Sequence, residues 1–215
     1  MKLNTMRRGS AAVAVLALSL VLAACGSDDE GDSGTDESSA AAADPKDQTF
    51  GAGCEEIPTE GDGSFVGMAS DPVATAASTN PLLKTLVAAV GATELGGTLD
   101  GAEALTVFAP YDPAFEELGD TVTELVDGVA DAESPGVSPL AQILTHHVLG
   151  ANDDPAAVVG EQTTLNGDTI TIEGDESGMT VSDGTVTANV ICGNIPTANA
   201  TVYVIDKVLV GATVK

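Results

Sequence analysis

Apolar residues recur along this 215-residue chain in two rhythms, and the change comes near residue 160. In "SPLAQILTHHVLG" (residues 138–150), Leu140, Ile143, Leu144 and His147 fall on one face at three- and four-residue spacing, which predicts a helix. Leu82, Leu83, Leu86, Val87 and Val90 repeat the pattern, and Gly91 is placed to stop that helix. A short polar residue directly before proline marks five expected helix starts: Asp71-Pro72, Asn80-Pro81, Asp112-Pro113, Ser138-Pro139 and Asp154-Pro155. Proline suits the first helical position, where its missing N–H has no partner to lose. Between the second and third starts, "ALTVFAP" (residues 104–110) reads as a buried strand. Beyond residue 160 the period becomes two. "TTLNGDTITIEG" and "MTVSDGTVTANVIC" carry Asn166-Gly167 and Asp183-Gly184 as hairpin signals, and "ATVYVIDKVLV" (residues 200–210) reads as a further strand. Helices first and strands afterwards predict an α+β domain with a mostly antiparallel sheet and short helices in its N-terminal half.

The N-terminus follows neither rhythm. Lys2, Arg7 and Arg8 precede an apolar run over residues 11–24, the pattern of an export signal and too short to span a bilayer comfortably. The run ends in "LAAC" at Cys25, which resembles the lipobox of bacterial lipoproteins. That resemblance implies a signal peptide over residues 1–24 and a lipid on Cys25, holding the protein at the outer face of the cell membrane. The tract that follows, "GSDDEGDSGTDESSAAAADPKDQ", has no periodicity and too little apolar surface to offset chain entropy. It is expected to be an acidic, disordered tether over residues 25–62, leaving residues 63–212 as the folded domain.

Charge narrows the partners. The chain has seven basic residues against 33 acidic ones, and removing residues 1–24 takes away every arginine. Phosphate repulsion then goes unanswered, so no nucleic acid is expected as a partner. With Cys25 assigned to lipid, Cys54 and Cys192 remain as an even pair in an oxidising compartment; composition alone leaves a bridge and two free thiols both open.

Candidate chemistry is sparse. No serine has glycine at both −2 and +2, no H-E-x-x-H occurs, and no cofactor or metal is expected. The two histidines, His146 and His147, are adjacent; successive positions on a helix diverge by about 100°, so both can hardly reach one ion. His147 is expected to face the core as a hydrogen-bonded structural residue. His146 is expected at the edge of the apolar stripe or in water, a candidate contact for a partner. Asp153-Asp154 reads as a solvated helix start. Asn199-Ala200-Thr201 matches a glycosylation sequon but is expected to be a turn into the last strand.

Three stretches together resemble the fasciclin domain: "LTVFAPYDPAFEEL" (residues 105–118), "ILTHHVLG" (residues 143–150) and "GNIPTANATVYVIDKVLV" (residues 193–210). The resemblance runs from about residue 63 to residue 210, and "GMASDPVATAASTNPLLKTLVAAV" (residues 67–90) is similar to the mycobacterial surface and secreted antigens of that family. It implies a β-sandwich wedge flanked by small helices, on an extracellular protein whose role is adhesion. It also implies that Cys54 and Cys192 pair. The family's tyrosine–histidine motif falls on His146 and His147, with histidine in the tyrosine place, and the usual Thr-Asn-Glu of the first box is Tyr111-Asp112-Pro113. Asp112 is expected to cap its own helix as the asparagine would. His147 is expected to clamp onto the loop of Pro110, Tyr111 and Asp112, and Tyr111 is a candidate partner contact. The expected protein is a monomeric, non-enzymatic surface lipoprotein that binds an envelope or matrix protein or glycan. A lipid or small-ligand carrier is the alternative expectation.

Overall fold

The computed structural model describes residues 44–212; the expected signal peptide, Cys25 and the first half of the expected tether lie outside the described residues. Packed structure reaches back beyond the expected domain start at Gly63. Phe50 exchanges two backbone hydrogen bonds with Gly193, and Cys54 is bonded to Cys192. That approach needs glycine at 193, because a Cβ there would lie 2.3 Å from the Phe50 ring.

The first half is helical: α1 (Phe65–Ser70), α2 (Val73–Thr79), α3 (Lys84–Ala92), α4 (Gly96–Gly101), α5 (Asp112–Glu116), α6 (Asp120–Asp131) and α7 (Pro139–His146). Strand β1 (Leu105–Pro110) enters between α4 and α5. After α7 come β2 (Val148–Leu149), β3 (Gly160–Thr163), β4 (Thr169–Asp175), β5 (Gly178–Ser182), β6 (Thr187–Pro196) and β7 (Ala200–Ile205). The strands form one sheet in the order β2-β1-β7-β6-β5-β4-β3, antiparallel except for the β1–β7 pair. Its edges nearly meet: Leu149 bridges Thr164, and the Leu165 N–H donates to the Val148 carbonyl at 2.7 Å. The expected α+β architecture is therefore present, with one curled sheet supplying both layers.

Curling gives the sheet two buried faces. Along β7 all six residues are buried. Ala200, Val202 and Val204 join the core shared with the helices, while Tyr203 and Ile205 join Phe108, Ile170, Ile172, Met179 and Val181 inside the curl. A strand covered on both sides reads as a continuous apolar run, which is why "ATVYVI" lacks polar alternation. The expected extension of this strand to Val210 does not form, because after Ile205 the chain turns away and Asp206 bonds Asn189.

Of the five expected helix starts, Ser138-Pro139 holds, with the Ser138 hydroxyl accepting from the Ala141 N–H. Helices α2 and α5 also open at Asp71-Pro72 and Asp112-Pro113 but without the expected caps, whereas Asn80-Pro81 and Asp154-Pro155 lead into turns. The first turn of α2 is capped by Asn199 and Asp100, through Val73, Ala74 and Thr75. Asn80 makes a local turn with the Leu82 N–H, and α3 opens only at Lys84. Asp112 does not cap its own helix; its carboxylate accepts the Thr85 N–H at 2.7 Å and caps α3. Asp154 closes a turn onto Ala156 and Ala157, with no helix following. Gly91 lies inside α3 and does not end it.

The Cys54–Cys192 bond closes a separation of 138 residues. Replacing both cysteines with alanine is expected to lower the unfolding free energy by about 2–5 kcal/mol, read by urea denaturation. An unchanged midpoint would show that the N-terminal strap adds nothing to stability.

Candidate functional site

Both histidines sit at the end of α7, whose inward face is Leu140, Ala141, Ile143 and Leu144. His147 is buried, as its spacing predicts. Its Nδ1–H donates to the Ile143 carbonyl at 2.8 Å, one helical turn back, and its Nε2 accepts the Leu209 N–H at 2.9 Å. An amide can only donate, so Nε2 must be the unprotonated nitrogen and the ring must be neutral. Burial pushes the imidazole down from 6.5 to about 4, with the neighbouring His146 adding to the fall and the Ile143 carbonyl and Asp183 opposing it. The His147 carbonyl also accepts the Phe108 N–H at 2.9 Å, so this residue joins α7, β1 and the segment after β7.

The expected clamp to Pro110, Tyr111 and Asp112 is not made by the ring. Leu209 and Ile143 saturate both nitrogens, and Asp112 is turned towards α3. Pro110 and His147 share only the wall of an apolar cavity. Tyr111 is half-buried against the helix-side core, and its N–H donates to the Ile205 carbonyl. It retains partial exposure and no more.

His146 departs further from expectation. It is 1% exposed, so it cannot itself be a surface contact. The β3–β4 and β5–β6 turns cover the flank of α7 that its own sequence suggested was open. Asp168 in the first turn places Oδ2 3.0 Å from the ring Nδ1. Asp183 in the second places Oδ2 3.8 Å from Nε2, beyond hydrogen-bond length. Nε2 is the one buried side-chain nitrogen or oxygen without a hydrogen bond among the described residues. Asp183 is occupied elsewhere: it accepts the Thr185 and Val186 N–H groups and the Gly211 N–H. The two rings stand 6.3 Å apart at 84° and serve different partners. Among the described residues, no group of three metal-ligating side chains converges.

Asn199 and Asp183 carry structural roles that local patterns hide. The Asn199 amide donates to the Leu99 and Ala102 carbonyls and accepts the Val73 N–H, tying α2 and α4 to the start of β7. A sugar on its Nδ2 would break these bonds, so the sequon is structural. Tyr203, fully buried between Phe50 and Phe108, donates to the Asp153 carbonyl, and burial pushes its phenol up.

The buried neutral His147 predicts a pH dependence. Its folded value lies below its ordinary one, so the unfolded chain takes up the proton first as pH falls. The stability involved is complete above about 6.5 and drains away between 6.5 and 4, by about 3 kcal/mol. Urea melts at pH 7 and pH 4.5 are expected to show a smaller acid loss in His147→Ala than in the natural chain, although the variant starts less stable. Equal losses would count against the assignment.

Comparison with known proteins follows this geometry. Residues 81–211 match the family model described as the fasciclin domain. The chain is 41% identical over 179 residues to the cell surface glycolipoprotein MPB83 of Mycobacterium bovis, covering 79% of this chain and 76% of that protein. It is 42% identical over 169 residues to the immunogenic protein MPB70 of Mycobacterium bovis, covering 74% and 80%. Its fold is similar to a FAS1 domain pair from the insect cell adhesion molecule fasciclin I, with a TM-score of 0.53 at 15% identity, over 66% of this chain and 52% of that one. No helix among the described residues is long and apolar enough to cross a membrane. The family-model match over more than half of the chain, and identities above 40% over most of both chains, show that the chain belongs to the fasciclin domain family.

Proposed function

We propose that this protein is a non-enzymatic lipoprotein of the outer cell surface, held by a lipid on Cys25, whose fasciclin domain binds other envelope or matrix components. The observation that carries the reading is its 41% identity, over most of both chains, to a relative named as a cell surface glycolipoprotein. The use of the polar side chains supports it. His147, Asp100, Asp112 and Asn199 are consumed in holding elements together, which leaves the outer surface for recognition. The acidic balance of the chain favours protein or glycan partners over anionic headgroups.

Cys25→Ser is expected to move the protein from the membrane fraction into the medium, with loss of the acyl mass on the mature N-terminus. A variant that stays membrane-bound would remove the anchor from this reading. Capture from cell-envelope fractions with the mature chain is expected to enrich a specific component. Recovery no greater than with a heat-unfolded control would overturn the contact role.

A further inference from the structure

Leu144 and His147 line two of the apolar cavities on the helical side. The larger, about 120 Å³, is walled by Phe115, Leu118, Val122, Leu125, Leu140 and Val208. The smaller, about 60 Å³, is bounded by α2, α3, α4 and β1. Their few polar atoms offer water little. Both His147 nitrogens are taken, the Thr145 hydroxyl donates to the α7 carbonyls of Ala141 and Gln142, and Thr85 in the larger wall is only partly buried. Water needs two to four polar partners to occupy such a space, and an apolar cavity of roughly 150 Å³ is known to stay dry and bind benzene.

The cover of the larger cavity is loose. Helix α6 carries Val122, Leu125, Val126 and Val129 on one face, yet Val126 is 39% exposed and the other three are only half-buried. It is entered through Gly119, whose φ of 55° gives a sharp turn that few other residues adopt. Around it the charge is one-sided: residues 113–131 hold six acidic side chains and no basic one. Lys84 and Lys207, next in sequence to the lining residues Thr85 and Val208, are too few to reverse that field. A ligand whose polar end must emerge there is disfavoured if that end is anionic.

We propose that the cavity beneath α6 takes the end of a single hydrocarbon chain from an uncharged lipid, with α6 as its lid. The site is independent of the surface contact role, and either can fail alone. The test is a methyl NMR titration of the full-length chain with benzene, with 1-monomyristoylglycerol below its micelle concentration, and in parallel with myristate. Saturable shifts are expected for Leu125, Leu144 and Val208 with benzene and the monoacylglycerol, and at least tenfold weaker binding of myristate. Ala89→Leu, which fills the cavity from α3, and Ala88→Trp, which blocks it from the exposed side, are expected to weaken both bound probes at least tenfold while far-UV dichroism is unchanged. Should Ala89→Leu fail to fold, Ala88→Trp carries the comparison. Absence of saturable shifts, or shifts untouched by the folded variant, would overturn the site; tighter binding of myristate would overturn the uncharged headgroup.

Discussion

The fold depends on an imidazole that has no freedom left. His147 donates one nitrogen backwards into its own helix and accepts with the other from Leu209, 62 residues later in the chain. Each bond fixes the tautomer the other requires, so the ring works only while neutral and only with both partners in place. Its carbonyl adds Phe108 of β1. Removing the ring would strand a buried amide and a buried carbonyl together, each with a desolvation cost of about 1–3 kcal/mol. No aliphatic side chain of similar volume can supply both a donor and an acceptor, which is why the position calls for histidine.

The same economy governs the helices. Isolated helices shorter than about 12 residues are marginal in water, and most of these have five to nine. Their free N–H groups are met from far away: α2 by Asp100 and Asn199, α3 by Asp112. The caps thus double as long-range ties, fixing where each helix sits as well as where it begins. A polar residue spent this way is unavailable to a ligand.

Periodicity reveals a residue's face but not what covers that face, and this decides which features were legible in the sequence. The hairpins at Asn166-Gly167 and Asp183-Gly184 were readable because a turn is a local event. So was the inward turn of His147. His146 was not, because the residues that bury it, Asp168 and Asp183, belong to hairpins formed later in the chain. Asp112 misled for the same reason: its local context suits a cap, but the helix it caps lies 27 residues back. Helix α6 did leave a signal in Val122, Leu125, Val126 and Val129, but it begins after Gly119 and carries no polar residue–proline pair to mark its start. The Cys54–Cys192 pairing came from family resemblance, since composition left free thiols open.

The two cores differ in kind, and that difference has a physical origin. Inside the curled sheet, strands of regular spacing interdigitate, and Phe108, Ile170, Val181, Tyr203 and Leu209 are wholly excluded from solvent. On the helical side, short helices pack largely against one another, and their positions are set by distant polar ties as well as by close packing. Side chains there cannot all interlock, so residual space collects where α3, α6 and α7 meet, lined by Leu144 and His147. Unfilled apolar volume costs roughly 24 cal/mol per Å³, a penalty that a hydrocarbon can relieve and water cannot. The fold therefore combines a core inside the sheet that is closed to solvent with a helical side that holds unfilled apolar space.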